Sequence, residues 1–432
     1  MEPWGWAKSF SYLVAQPDLL LVDYNGNPAA KKIILELADG LLAHRHADEY
    51  GKAALPTAIR FADDREGNAT RGNLPWPLFW SAWKFSGNRD YLDPILSGGP
   101  AALNTVNANA LDLLGLREEW RARILAGERG RPTESHRDDG RIRPRSYDYR
   151  AAAGTHAAWQ LTGDKSKLEK LYGEQIEETA LLDYINTEGS LWIDRVGVPY
   201  AELQRARLGG IALTRGATFP GHVVSWKFTE PATAENVAIL IADATANAFK
   251  VIAYNLSTAP VQATMTGWNI DPGDWEITQG IDTNDDDQAD KVTGTRMAKL
   301  ERSRSVEFTF APRVTTVFTF KLKTPGTPYW ARPDLGIDRE DVVVQGREVR
   351  VTVHSLGSVP SAASEVVLRD QGGQVIASGK IPALAPPVDL LPKTTMVAIR
   401  LPKGIELPGC TVEIDPAHQR EEITTLNNAV KL

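Results

Sequence analysis

The sequence predicts a multidomain α+β chain: a helical first part over residues 1–188, an antiparallel β-sandwich over 189–323, a linker over 324–333 and a second β-sandwich over 334–432. Three observations predict it. Apolar residues recur at helical spacing near the start, and one helix joint occurs twice. After Gly189 the periodicity changes to strand-length runs broken by turns. Between two such β-rich segments stands Thr324-Pro325-Gly326-Thr327-Pro328-Tyr329-Trp330-Ala331-Arg332-Pro333, whose prolines read as a semi-rigid connection. A chain of 432 residues has room for two to four domains at roughly 100–200 residues each.

In the first part, Ile33, Ile34, Leu37, Leu41 and Leu42 form one apolar stripe, with Asn27 as N-cap and Pro28 at the first helical position. The repeat pairs Ala82-Trp83-Lys84-Phe85-Ser86-Gly87-Asn88 with Ala158-Trp159-Gln160-Leu161-Thr162-Gly163-Asp164, and Leu92 with Leu168. In each copy a tryptophan-bearing helix ends at a glycine suited to a left-handed C-cap, and a polar residue opens the next helix. Helix hairpins with this punctuation resemble the (α/α) toroid domains of polysaccharide lyases of the heparinase and alginate lyase type. That resemblance covers residues 20–188 and implies a partial toroid, with fewer helices than a full ring. Trp4, Trp6, Phe10, Tyr12, Leu13 and Val14 would then be exposed or lie in an open groove, and Met1 would be an internal start.

The second part is read from runs at 223–228, 237–241, 249–254, 306–310 and 314–322, which alternate or run apolar over strand lengths. A sandwich after a helical toroid is also the domain order of many toroid lyases. In the third part, Pro333-Asp334-Leu335 opens the segment, Val349-Arg350-Val351-Thr352-Val353-His354-Ser355-Leu356-Gly357 supplies a strand and its turn, and Asp415-Pro416 with Glu422-Ile423 and Asn427-Asn428 closes it. This order resembles CARDB, an immunoglobulin-like bacterial module, with His354 where asparagine is common. The resemblance implies display or spacing outside the cytoplasm and carries no catalytic residues.

Composition narrows the function classes. A net charge of −7 offers no global field for nucleic acid. The single cysteine, Cys410, excludes an intramolecular disulfide and a cysteine-rich zinc site. No secretory signal is visible at the N-terminus, and no stretch reaches the ~18 apolar residues of a membrane span. The domain types nevertheless point to an extracellular or cell-envelope location.

Four clusters carry chemistry. Asp282, Asn284, Asp286 and Asp290 have the alternating spacing by which a tight loop wraps a hard cation, and the loop resembles the calcium loops of thrombospondin type 3 and dockerin-like repeats. Asp287 stands where those loops have glycine. A structural Ca2+ is the expectation, and a solvated acidic turn the alternative. His44-Arg45-His46 on a helix would point its imidazoles about 200° apart, leaving His44 with Asp48 as the metal-competent pair and a cation at a helix C-terminus as the alternative. An arginine-rich stretch leads into Tyr147, Tyr149 and His156, the residue types β-elimination requires as acid and base, with Arg145 and Arg150 to neutralise a uronate. A solvated loop with a core histidine is the alternative there. Arg205 and Arg207, where the helical part hands over to the sandwich, are further candidates for an acidic sugar or for an ion pair. Trp226, Trp268 and Trp275 are read as core or strand-face aromatics, with sugar stacking the alternative.

The resulting expectation is a carbohydrate-active protein acting on or binding an acidic polysaccharide, by a lyase-like β-elimination if catalytic. The rival is a non-catalytic adhesion or surface-display protein.

Overall fold

A computed structural model describes residues 6–8, 15–47, 53–60, 62–70, 76–97, 121, 125, 155, 158–159, 161–181, 206–209, 222–405 and 407–432. The chain divides into two compact units: one of residues 1–16, 35–300 and 305–324, the other of residues 17–34, 301–304 and 325–432. The helices with described bounds include α1 (Gln16–Asn25), α2 (Pro28–Ala43), α3 (Trp76–Ser86), α4 (Asp93–Ser97) and α5 (Lys165–Leu181). Short strands β1 (Trp6–Lys8), β2 (His46–Ala47), β3 (Ala53–Pro56), β4 (Ala58–Arg60) and β5 (Ala69–Thr70) lie between and beside them.

Helix α2 starts as its sequence requires. Asn27 Oδ1 accepts from the backbone N–H groups of Ala29 and Ala30, both at 3.0 Å, satisfying two donors of the first turn. Its buried face is Ala30, Ile34, Ala38 and Leu41, while Ile33 is exposed and Leu37 and Leu42 are half-buried. The expected stripe is therefore rotated, because small alanines occupy the closest approach. The helix stops at Ala43, so His44 and His46 do not lie on it.

The duplicated joint recurs bond for bond. Gly87 and Gly163 have φ of 73° and 71°, and their N–H groups return to Trp83 O and Trp159 O, both at 2.7 Å. Ser86 Oγ bonds Ala82 O and Thr162 Oγ1 bonds Ala158 O, and each hydroxyl then accepts from the N–H of Asn88 or Asp164. The two copies differ afterwards. Asn88 caps a single 3-10 turn, Arg89–Tyr91, whereas Asp164 opens the long α5. Much of the stretch in which a toroid would continue lies outside the described residues. So do Trp4, Phe10, Tyr12, Leu13 and Val14; Trp6 is half-buried, with the Arg60 guanidinium 5.8 Å from its ring centre.

The first unit's sandwich is built from β6 (Val224–Phe228), β7 (Val237–Ala242), β8 (Ala248–Asn255), β9 (Val261–Gly267), β10 (Gly273–Asp282), β11 (Lys291–Leu300), β12 (Ser305–Phe310) and β13 (Thr315–Pro325). One sheet runs β11-β10-β13-β8-β7 and the other β12-β9-β6, with β10–β11, β13–β8, β7–β8, β12–β9 and β6–β9 antiparallel. Strand β12 alternates strictly, with Val306, Phe308 and Phe310 inward, as period-2 patterning demands. The core is aromatic. Phe249 stacks on Phe320 at 4.1 Å, Phe308 meets Phe318 edge-on at 5.2 Å, and Trp275 is fully buried. Helix α5 lies on the outer face of the five-stranded sheet, where Trp159, Leu168 and Leu171 pack with Ala242, Ile252 and Val317.

The second unit's sandwich pairs β16 (Glu348–Ser355) with β14 (Leu335–Gly336) and β15 (Val342–Gln345) on one side and β19 (Lys393–Arg400) on the other. The facing sheet runs β18 (Val375–Ile381), β17 (Ser364–Arg369), β20 (Thr411–Ile414) and β21 (Ala429–Lys431). Val349, Val351 and Val353 of β16 face inward onto Val366, Leu368, Val412 and Ile414.

Residues that carried the family resemblance meet in this unit's buried polar network. Asp334 is fully buried; Tyr24 Oη donates to its Oδ2, and Asn427 Nδ2 lies 3.4 Å from the same oxygen. Glu422 accepts from the Leu335 N–H at 3.1 Å and from Asn428 Nδ2 at 2.7 Å. Arg332 is buried too, bonded to Thr327 O, Glu301 and Glu422 O, so the proline-rich segment is pinned at its end. Gly357 permits this closure, since a Cβ there would come within 2.6 Å of the Asp334 nitrogen. Burial raises the Asp334 carboxyl to about 7, the Tyr24 hydrogen bond opposing and the Glu422 charge adding to the shift. Tyr24 is itself pushed up, by burial and by Asp334. Among the described residues, no helix is long and apolar enough to cross a membrane.

Candidate functional site

The acidic loop joins β10 to β11. Asp282 organises it: Oδ1 accepts from the N–H groups of Asn284, Asp285 and Asp286, and Oδ2 from that of Asp287. Asp285 and Asp287 adopt φ of 65° and 64°, and Asp287 thus takes the turn conformation for which glycine would be the easier choice. Of the expected ligands, Asn284, Asp286 and Asp290 converge: the Asn284 amide nitrogen is 3.4 Å from Asp286 Oδ2 and 3.2 Å from Asp290 Oδ1. Bonds from the Thr283 N–H and hydroxyl hold the Asp290 carboxyl below its ordinary range.

A second set overlaps the first. Carboxylate oxygens of Asp282, Asp285 and Asp287 lie within 4.8 Å of one another and could hold a metal ion. Lys165, the first residue of α5, already places its ammonium there, 2.9 Å from Asp285 Oδ1 and 3.0 Å from Asp287 Oδ1. Sequence spacing gave no sign of this lysine, because it arrives from a helix 120 positions away.

An open cleft of about 580 Å³ lies at one end of the second sandwich. Its polar lining is Ser364, Glu365, Lys380, Asp415, Gln419 and Arg420, with Ile381 and Pro416 among its apolar walls. Asp415 follows β20, is 4% exposed and has φ of 47°. Ser364 Oγ bonds its Oδ1 at 3.2 Å, and Arg420 Nη1 stands 3.6 Å from the same oxygen. Neither Asp415 Oδ2 nor Arg420 Nη1, both buried, has a hydrogen-bond partner. Two charges of each sign nearly cancel across the lining. Asp415-Pro416 was visible in the sequence only as part of a family pattern.

The remaining expected residues divide simply. Tyr147, Tyr149, His156, Arg145, Arg150, Arg205 and Asp48 lie outside the described residues. Arg207 is half-buried, donating to Val237 O at 3.2 Å, while its own carbonyl accepts from Trp226 Nε1 at 3.1 Å; burial lowers its pKa. It ties a helical turn to the sandwich. Trp275 is core, Trp226 packs edge-on against Phe308, and Trp268 Nε1 bonds Ser225 Oγ at 2.8 Å.

No family model matches the chain, and no curated protein matches it. Among solved structures it has distant similarity to glycoside hydrolases. A β-glucuronidase from Ruminococcus gnavus aligns at 8% identity over 43% of this chain and 36% of that one, with a TM-score of 0.16. A β-porphyranase of glycoside hydrolase family 86 from Bacteroides plebeius aligns at 10% identity over 39% of this chain and 34% of that one, with a TM-score of 0.13. The chain thus spans about a third of the length of either. Similarity of this size assigns neither a fold family nor an activity.

Proposed function

We propose that this chain is a carbohydrate-binding multidomain protein of the cell exterior, and that the cleft beside Asp415 and Arg420 holds a sugar. The observation that carries the reading is that two residues of its lining, Asp415 and Arg420, hold buried polar atoms without a hydrogen bond, Asp415 Oδ2 and Arg420 Nη1, although the guanidinium keeps an ion pair with Asp415 Oδ1. A buried donor or acceptor left unmade costs about 1–3 kcal/mol. If these side chains turn toward the cleft, a single hydroxyl could answer both, donating to the carboxylate and accepting from the guanidinium. The apolar walls suit the C–H face of a pyranose, and the volume falls within the usual range of small-ligand sites, roughly 300–1,000 Å³. Balanced charge favours a neutral or weakly acidic sugar over a strongly anionic one.

The finer parts of the reading rest on sequence. They are a partial toroid, a CARDB-type module, and a β-eliminating site of Tyr147, Tyr149 and His156 with Arg145, Arg150 and Arg205. Ca2+ at the acidic loop belongs with them; it would draw oxygens from Asp282, Asn284, Asp286 and Asp290, next to the Lys165 ammonium held on Asp285 and Asp287.

A glycan array probed with the full chain tests the proposal. Binding is expected, and Asp415→Asn should weaken it tenfold or more, about the effect of unpairing one buried group. Silence across neutral and acidic glycans, or binding indifferent to Asp415→Asn and Gln419→Ala alike, overturns it.

A further inference from the structure

The His44-Arg45-His46 segment leaves α2 in a last tight turn, with the His44 N–H returning to Leu41 O at 3.2 Å. It then enters β2, where His46 pairs with Ala54 of β3. Once the helix has ended, alternate residues share a side. His44 and His46 point one way, and Arg45 reaches the other way to Asp93. Opposite the two histidines stands Glu66, on the return arm of a hairpin closed by Thr57 N to Asn68 O and Gly67 N to Ala58 O, both 2.8 Å. Its carboxylate receives both rings: Oε1 lies 2.6 Å from His44 Nδ1, and Oε2 contacts His46 Nε2.

Three backbone segments, a helix end, a strand and a hairpin arm, thus bring two imidazoles and one carboxylate together. The side chains are 25%, 50% and 28% exposed for His44, His46 and Glu66, so solvent ions reach them. The ring nitrogens sit on different oxygens of the carboxylate between them. The rings stand on opposite sides of the carboxylate, too far apart to share an ion as they lie, so closing on one ion requires these part-exposed side chains to turn toward each other.

We propose that His44, His46 and Glu66 form a binding site for a divalent transition-metal ion, with Zn2+ the best match. Two neutral nitrogens and one carboxylate oxygen suit a borderline-soft ion, whereas Ca2+ and Mg2+ require more oxygens. The ion takes the place of the ring–carboxylate hydrogen bonds to Glu66, and water completes the coordination. The site is independent of the sugar cleft and of the acidic loop.

Chelator-treated full chain titrated with Zn2+ against a chromophoric competitor is expected to bind one equivalent at this site. His46→Asn and Glu66→Gln, checked for folding by circular dichroism, should each weaken it about 100-fold or more, since losing even an outer-layer partner of a metal ligand costs about 10- to 100-fold. His354→Ala, which removes another carboxylate-paired surface histidine, should change nothing. Co2+ in place of Zn2+ should give visible d–d bands of nitrogen and oxygen ligation that vanish in His46→Asn. Binding no tighter than millimolar, or binding unaltered by both site variants, overturns the proposal and leaves a hydrogen-bonded histidine–glutamate cluster.

Discussion

Replacing Asp334 by asparagine should remove most of the pH dependence of the second unit's stability between pH 4 and 8. Asp334 has a folded pKa of about 7, against about 3.9 for an unfolded aspartate. The folded state therefore holds the proton more tightly. The stability this contributes is complete below about pH 4 and is lost as pH rises to and past 7. Three units at about 1.4 kcal/mol each amount to roughly 4 kcal/mol. Asparagine keeps an acceptor for the Tyr24 hydroxyl and cannot ionise. Hydrogen exchange of β16, corrected for intrinsic rates, reads the opening free energy of this unit in the intact chain. The wild type should lose about 4 kcal/mol from pH 4 to 8 and the variant much less, the difference isolating Asp334 from Glu422, whose carboxyl burial also raises. Equal slopes in the two proteins would refute the reasoning.

Three further substitutions test other parts of the structure. Gly163→Ala and Gly87→Ala each place a side chain at positive φ in open space, so thermal melting should show a loss of about 1–2 kcal/mol from conformation alone; an unchanged melting temperature would mean the joint is not left-handed. Lys165→Met removes the ammonium from Asp285 and Asp287 and should tighten Ca2+ binding roughly tenfold, since two exposed ion pairs together are worth about 1–2 kcal/mol. Calorimetry showing no Ca2+ heat in either protein would leave the loop a solvated turn.

The strands are the most legible part of the sequence. The apolar run at 306–310 is strand Ser305–Phe310, and that at 237–241 is Val237–Ala242, because period-2 burial is written directly into the order of residues. The glycine-ended joint is legible for a similar reason: its hydrogen bonds all close within six residues. What escapes is long-range. Glu66 meets His44 and His46 across a hairpin, Lys165 meets the acidic loop from another element, and Arg332 is buried by partners 31 positions before it and 90 positions after it. The geometry of His44 and His46 escapes as well, because helical spacing does not extend past Ala43 and β2 begins at His46. Asp334, Glu422 and Asn427 stand out as pattern in the sequence; only their convergence shows that the pattern records a buried network.

A sugar seated in the cleft at Asp415 and Arg420 lies against the alanines of its lining. Methyl NMR on the alanine-labelled full chain, titrated with a glycan selected from the array, tests it most directly, because Ala363 and Ala417 line the cleft while Ala253 and Ala263 sit in the core of the other sandwich. Saturable shifts of Ala363 and Ala417, with Ala253 and Ala263 unmoved, are the predicted result. A bound glycan that leaves Ala363 and Ala417 in place would contradict it.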